Sequence, residues 1–340
     1  VWHSPRNPQN RPALDAARAY AQDVLPTTKV SGVSDNTGET VVFRVNDLPP
    51  LNQTLILPIA VARLNFAEGW GALGNGTPVW ATRREARLFA RLDTPGDKTL
   101  SFRAFAPMAG QRVTIQVNGR AEGALAMQLG WGEYSVRVAS GEWREGMNAI
   151  LLQFDALVPV ASVRAEENFN DIGITGIKSP ASIVVRSAGS EIGDFEHIFV
   201  NGVDVAQDTR GYNVVVINAQ SGAVESSAAF DTFASADESA RLAQFIAKIP
   251  KGRIVAAAVR DEASRFLTAE AVNALRSIGA AEDLRGRFRW SHAIIGVKGA
   301  VPGSALETAS ETMPAQLVVG VGAMEPNVAA AVEWVKIEAR

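Results

Sequence analysis

The 340-residue chain contains no cysteine, which excludes disulfides, thiolate metal sites and cysteine nucleophiles together. Its three histidines, His3, His197 and His292, are scattered, so they predict neither a metal site nor a catalytic triad. No apolar run approaches the roughly 18 residues that span a bilayer. The net charge of −3 argues against nucleic acid as a partner, because phosphate binding needs a strongly basic face. We therefore expect no metal and no other cofactor.

The composition that remains is typical of a soluble globular protein. The chain is 47% hydrophobic and 20% charged, and its length predicts two domains, each able to bury a core. It begins at Val1, with no methionine and no signal-peptide pattern, so we expect a processed chain or a segment of a longer protein.

The first half alternates apolar and polar residues over many short segments. Residues 1–38 form a polar lead-in with a short helix over Ala13–Leu25, and residues 39–157 predict an antiparallel β-sandwich. Trp131 lies between two glycines and Trp143 follows a Ser-Gly turn, so both are candidates for a sugar-stacking surface, although core packing is the simpler explanation for either one. In its pattern and tryptophan content this half resembles a galactose-binding-type jelly roll and a carbohydrate-binding module.

The second half mixes strands with helices. We assign residues 158–180 to a linker and 181–325 to an α/β domain. Residues 326–340 predict a terminal strand that could belong to either domain, and its distance from the other α/β strands favours a return to the sandwich. Two helices are predicted, over Asp237–Ile249 and Thr268–Ile278, each with an apolar face. Between them, the run Ile254–Val259 has the composition of a strand buried on both sides.

Three charged residues lie at predicted strand ends in this half, where ligands of α/β sheets gather. Arg210 precedes one strand, Asp261 follows the buried strand, and Arg289 precedes a third. Aromatic residues lie nearby in sequence: Tyr212, Phe288 and Trp290. Such a set suits sugar hydroxyls, since aspartate accepts from them and arginine donates in a fixed fork. From spacing alone, a structural ion pair is the better explanation of these charges.

Three ordered segments carry a resemblance over residues 183–300. They are RGYNVVVINAQSGAVESSAAFDTF, IPKGRIVAAAVRDEASRFLTAEAVNALRSIGA and FRWSHAIIGVKGA. Together they resemble the interleukin-like EMT inducer (PANDER-like) domain family, which includes secreted cytokine-like proteins and the sugar-binding stem domain of protein O-linked-mannose N-acetylglucosaminyltransferase. The resemblance implies a non-catalytic, extracytoplasmic carbohydrate-binding domain, either secreted or part of the ectodomain of a larger membrane glycosyltransferase-type protein.

By motif position, the stem's ligand residues correspond to Arg210, Asp261 and Arg289 of this chain. The stem has an acidic residue after the last arginine, whereas this chain has Trp290, which leaves the identity of the sugar open. The expected partner is a glycan or a glycosylated surface component. Two alternatives remain: a structural module that binds other subunits of a cell-surface assembly, and a glycan-active enzyme that uses Asp261 and Glu262.

Overall fold

The computed structural model describes residues 2–5, 27–34, 38–45, 55–56, 65–72, 78–163, 168–322 and 325–339. The helix predicted over 13–25 lies outside these ranges. The chain divides into two compact units. The sandwich unit comprises residues 48–169 and 321–340, and the layered unit comprises residues 1–47 and 170–320. No helix in the described ranges is long and apolar enough to cross a membrane.

The sandwich unit is built from strands. They are β4 (Leu55–Ile56), β5 (Val79–Ala81), β6 (Glu85–Leu92), β7 (Lys98–Ala106), β8 (Arg112–Val117), β9 (Arg120–Ala126), β10 (Gly130–Val138), β11 (Gly146–Phe154), β12 (Val158–Pro159), β22 (Asn327–Val328) and β23 (Ala330–Ala339). One sheet has the order β10-β7-β23-β4 with β5 beside β23, and the other has the order β6-β11-β8-β9. The terminal strand β23 thus runs antiparallel to β7 inside this unit.

Alternation of side chains explains the core of the sandwich unit. Successive residues of a strand point to opposite faces, so every second residue of the central strands β7 and β11 enters the space between the sheets. On β7 these are Leu100, Phe102 and Ala104, and on β11 they are Ile150 and Leu152, all at most 1% exposed. The predicted antiparallel β-sandwich is confirmed.

The layered unit contains the remaining elements. They are β1 (Trp2–Pro5), β2 (Thr27–Ser34), β3 (Gly38–Val45), β13 (Ile183–Gly189), β14 (Phe195–Val200), β15 (Val203–Asp204), β16 (Gly211–Ile217), β17 (Val224–Phe230), α1 (Ala236–Lys248), β18 (Ile254–Asp261), α2 (Ala269–Arg276), β19 (Ser291–Val297), β20 (Leu306–Ser310) and β21 (Ala315–Val319). Strands β13–β21 form a nine-stranded mixed sheet. Most of its pairs are antiparallel, and β13 meets β18 in parallel over only two residue pairs.

Strand β18 is the centre of this unit. It lies between β16 and β19 and is antiparallel to both. Val255, Ala257 and Val259 face a core shared with α1 and α2. The alternate residues, which include Ala256 and Ala258, face a second core shared with β13, β14 and β21. The prediction of a strand covered on both sides is confirmed, and it explains the continuous apolar run.

Both predicted helices are present and begin at side-chain caps. The Ser235 hydroxyl accepts from the Glu238 N–H at the start of α1, and the Thr268 hydroxyl accepts from the Ala271 N–H at the start of α2. Residue Gly279 follows α2 with φ +98°, a conformation that ends a helix and favours glycine.

One segment departs from the sequence prediction. Strand β3 was assigned to the sandwich, but it pairs with β1 and β2 in a separate three-stranded sheet. The alternation of β3 predicts a strand correctly, but alternation does not identify its partners. Residues 2–5 and 27–34, assigned to the lead-in, are strands as well.

Candidate functional site

Asp261 ends the central strand in an unusual backbone conformation. Its φ is +58°, a left-handed value that few residues other than glycine adopt. Its backbone is held at this point because β13 runs alongside, with Gly189 opposite Asp261, and the Ser190 N–H donates to the Asp261 carbonyl at 3.1 Å. The half-buried side chain therefore leaves the sheet at the end of β18 in a fixed direction.

Arg289 has the same kind of backbone, with φ +59°. Its carbonyl passes directly over Gly189, where a Cβ atom would lie only 1.7 Å from the Arg289 oxygen. Glycine is therefore required at 189, and this close approach places Arg289 next to the segment that pairs with Asp261. Such left-handed residues cost free energy and cluster at functional sites.

The guanidinium of Arg289 is only partly paired. Its Nη1 donates to Glu191, a largely exposed carboxylate, at 2.7 Å. Its Nε is buried and has no hydrogen-bond partner in the described part of the chain. A buried donor without an acceptor costs about 1–3 kcal/mol, so this atom is a natural hydrogen-bond donor for a ligand oxygen.

Arg210 is held in place from two sides. Its Nε and Nη2 form a forked pair with the Asp231 carboxylate at 2.8–3.1 Å, and its guanidinium lies 4.5 Å from the centre of the Phe233 ring. The segment before it is fixed by buried Asn213, whose amide donates to the Thr209 carbonyl at 2.6 Å and accepts from the Thr209 N–H. Asn213, three residues after Arg210, therefore helps to orient this arginine.

Electrostatics join the three residues. Burial and the nearby Asp194 carboxylate raise the pKa of Asp261, and the positive charges of Arg210 and Arg289, with a hydrogen bond from Ser190, partly offset that rise. Both arginines therefore act on one carboxylate. We call Arg210, Asp261 and Arg289 the arginine–aspartate site.

The two aromatic residues predicted for the site differ in burial. Tyr212 is fully buried, and its hydroxyl lies 2.9 Å from Nδ1 of buried His292, so it is a core residue and offers no surface to a ligand. Trp290 is half-buried, with the Arg287 guanidinium 4.6 Å from its ring centre. The more exposed ring beside Arg289 is Phe288, which is 57% exposed and 4.8 Å from that guanidinium.

The predicted second sugar surface does not form as expected. Trp143 is 4% exposed because it packs in the core of the sandwich unit, so it cannot stack on a sugar. Trp131 is half-buried against Phe105 and Phe169, and the Arg103 guanidinium lies 4.8 Å from its ring centre. The Ser-Gly turn indicated exposure of Trp143, but its side chain is buried, whereas the half-buried Trp131 stays a prediction.

The structural role of Glu262, named above only for the enzymatic alternative, was not predicted from the sequence. Glu262 is 1% exposed, and its carboxylate accepts from the backbone N–H groups of Ser264, Arg265 and Arg289. A buried acid that ties two loops together looks like any other acid in sequence. In the described ranges, no group of three or more acidic or histidine side chains could hold a metal.

Comparisons with known proteins agree with the resemblance. Residues 210–300, which contain the arginine–aspartate site, match the sequence model of a family described as Interleukin-like EMT inducer. This confirms that the chain carries such a domain. A mouse (Mus musculus) protein named cell migration-inducing and hyaluronan-binding protein is 43% identical over 98 residues, which are 29% of this chain and 7% of that protein. A zebrafish (Danio rerio) protein named cell surface hyaluronidase is 34% identical over 106 residues, 30% of this chain and 8% of that protein.

The solved structures are more distant. A family 35 carbohydrate-binding module from Clostridium thermocellum covers 27% of this chain and 78% of its own, at 16% identity and a TM-score of 0.21. The chain spans less than a tenth of the length of the mouse and zebrafish relatives, so its likeness to them concerns one domain.

Proposed function

We propose that the layered unit is a non-catalytic carbohydrate-binding domain that holds a sugar at the arginine–aspartate site. The observation that carries the proposal is the placement of two left-handed residues, Asp261 and Arg289, on either side of Gly189. The buried Arg289 Nε lacks an acceptor among the described residues. A sugar offers what these groups need. Its hydroxyls donate to the aspartate, and its ring, hydroxyl or acetamide oxygens accept from the arginines.

The glycan class is suggested by the relatives. The matched region occurs in a protein named for hyaluronan binding, and hyaluronan alternates glucuronate with N-acetylglucosamine. We therefore propose an N-acetylglucosamine-containing glycan as the ligand. We also propose that the chain acts outside the cytoplasm, where such polymers lie, as a secreted protein or as part of a cell-surface protein.

The enzymatic alternative requires a second carboxylate beside Asp261 that a substrate can use. The nearby Asp194 carboxylate is paired with the Arg260 Nε at 3.3 Å. The adjacent Glu262 is buried and accepts hydrogen bonds from three backbone N–H groups, so its oxygens are committed to the fold. A glycosidase needs two carboxyl groups that flank the scissile bond. These contacts favour binding over hydrolysis at this site.

The test is calorimetric titration of the chain with hyaluronan oligosaccharides, comparing wild type with Asp261→Asn. Asparagine tolerates the left-handed backbone as aspartate does, so this variant removes the charge and leaves the fold in place. Because hydrogen bonds to charged groups contribute about 1.5–3 kcal/mol, we expect affinity to fall about tenfold or more. The matched control is Asp237→Asn, an exposed carboxylate on α1. Equal affinity of wild type and Asp261→Asn would refute the site.

A further inference from the structure

Arg265 is an exposed arginine beside the arginine–aspartate site. Within the described residues, no carboxylate lies at ion-pairing distance from its guanidinium. This distinguishes it from its neighbours, because Arg210 pairs with Asp231 and Arg289 pairs with Glu191.

Aromatic rings hold the Arg265 side chain in place. Its guanidinium lies 5.0 Å from the centre of the Phe233 ring and 4.9 Å from that of Phe266. The Arg210 guanidinium lies 4.5 Å from the centre of the same Phe233 ring, so one ring contacts both arginines. Rings attract a guanidinium without neutralising it, and its hydrogen-bond donors stay available to an anion.

The backbone of Arg265 is tied to the same site. Its N–H donates to Glu262 Oε2 at 3.2 Å, and the Arg289 N–H donates to Oε1 of the same carboxylate at 3.4 Å. The loop that contains Arg265 is also joined to the segment after β17, because the Phe266 N–H donates to the Thr232 carbonyl at 3.0 Å. Arg265 is therefore fixed relative to both Arg210 and Arg289.

From this arrangement we propose that Arg265 binds the carboxylate of an acidic sugar linked to the sugar in the arginine–aspartate site. The inference rests on the proposed function and specifies its ligand as an acidic glycan. A planar guanidinium matches a planar carboxylate through two parallel hydrogen bonds. A sulfate ester would offer the same charge with a different shape, so the experiment includes both anions.

The experiment is calorimetric titration of three ligands with wild type and Arg265→Gln. The ligands are a hyaluronan oligosaccharide, the same oligosaccharide with its carboxylates reduced to alcohols, and a sulfated form of that reduced oligosaccharide. We expect Arg265→Gln to weaken binding of the acidic oligosaccharide about three- to tenfold and to leave the reduced form unchanged. The matched control is Arg253→Gln, because Arg253 precedes β18 at the end opposite Asp261 and pairs with Glu225.

The outcomes separate the two proposals. If wild type binds both oligosaccharides and Arg265→Gln binds the acidic one equally well, this inference is overturned and the proposed function stands. If wild type binds neither, the proposed function fails and this inference fails with it. If Arg265→Gln loses affinity only for the sulfated form, the carboxylate assignment is overturned.

Discussion

Buried Glu196 gives the layered unit a predictable dependence on pH. Its side chain on β14 is fully buried, its Oε1 accepts from the Asp208 N–H at 2.7 Å, and its Oε2 has no partner in the described residues. Burial raises the pKa of Glu196 to about 8, and the carboxylates of Asp204 and Asp208 add to that rise, whereas the Asp208 N–H and Arg260 oppose it. The folded protein therefore keeps this carboxyl protonated at neutral pH.

The sign of the effect on stability follows from proton counting. The unfolded chain releases the Glu196 proton near pH 4.5, whereas the folded chain holds it until about pH 8. Between these values the folded state binds more protons, so the free energy of unfolding falls as the pH rises through this window. A gap of that size corresponds to a loss of about 5 kcal/mol, a large part of the roughly 5–15 kcal/mol typical of a domain.

The perturbation is Glu196→Gln, which keeps an acceptor for the Asp208 N–H and cannot ionise. We expect the variant to gain stability relative to wild type as pH rises from 4.5 to 8, with little further change above pH 8. Urea unfolding followed by circular dichroism at several pH values measures this difference. Glu311→Gln, at an exposed carboxyl, is the matched control. Parallel pH profiles for wild type and Glu196→Gln would refute the reasoning.

Two further substitutions test how the site is supported. Gly189→Ala would place a Cβ atom 1.7 Å from the Arg289 carbonyl oxygen. Thermal unfolding should therefore show that the free energy of unfolding falls by about 1–3 kcal/mol, and glycan affinity should fall with it. Gly96→Ala, at a position in open space, should change neither quantity. Asp231→Asn weakens the forked pair with Arg210. Because both side chains are about a third or more exposed, the free energy of unfolding should fall by less than about 1 kcal/mol. Calorimetry should nevertheless show weaker glycan binding. Unchanged stability of Gly189→Ala, or unchanged affinity of Asp231→Asn, would contradict these assignments.

Local patterns predicted most of the elements. The apolar run of β18 and the two helices follow from periodicity and turn residues. In the hairpin of β16 and β17, Tyr212 pairs with Phe230, and this register continued outward brings Arg210 towards Asp231 and Phe233. The register shifts between Val216 and Ile217, so counting outward from the turn does not predict these partners.

Other features depend on contacts between distant segments. Tyr212 was assigned to the site because it follows Arg210 closely, but β16 is covered on both faces, and both chain neighbours of Tyr212 are buried too. The position of Arg265 depends on Glu262 and on the rings of Phe233 and Phe266, which lie in two different loops. The spacing of these residues along the sequence does not predict their contacts. The pairing of β3 with β1 and β2 is likewise a choice of partner that alternation cannot predict.

The most direct test of the sugar site is to observe the arginine Nε–H groups during a titration. Nitrogen-15 correlation spectra resolve these signals, and single Arg→Lys variants assign them. On addition of hyaluronan oligosaccharide, we predict that the Nε–H signals of Arg210 and Arg289 shift with saturation at one affinity, while that of Arg253, at the far end of β18, stays in place. Binding that leaves the Arg210 and Arg289 signals unchanged would contradict the proposed site.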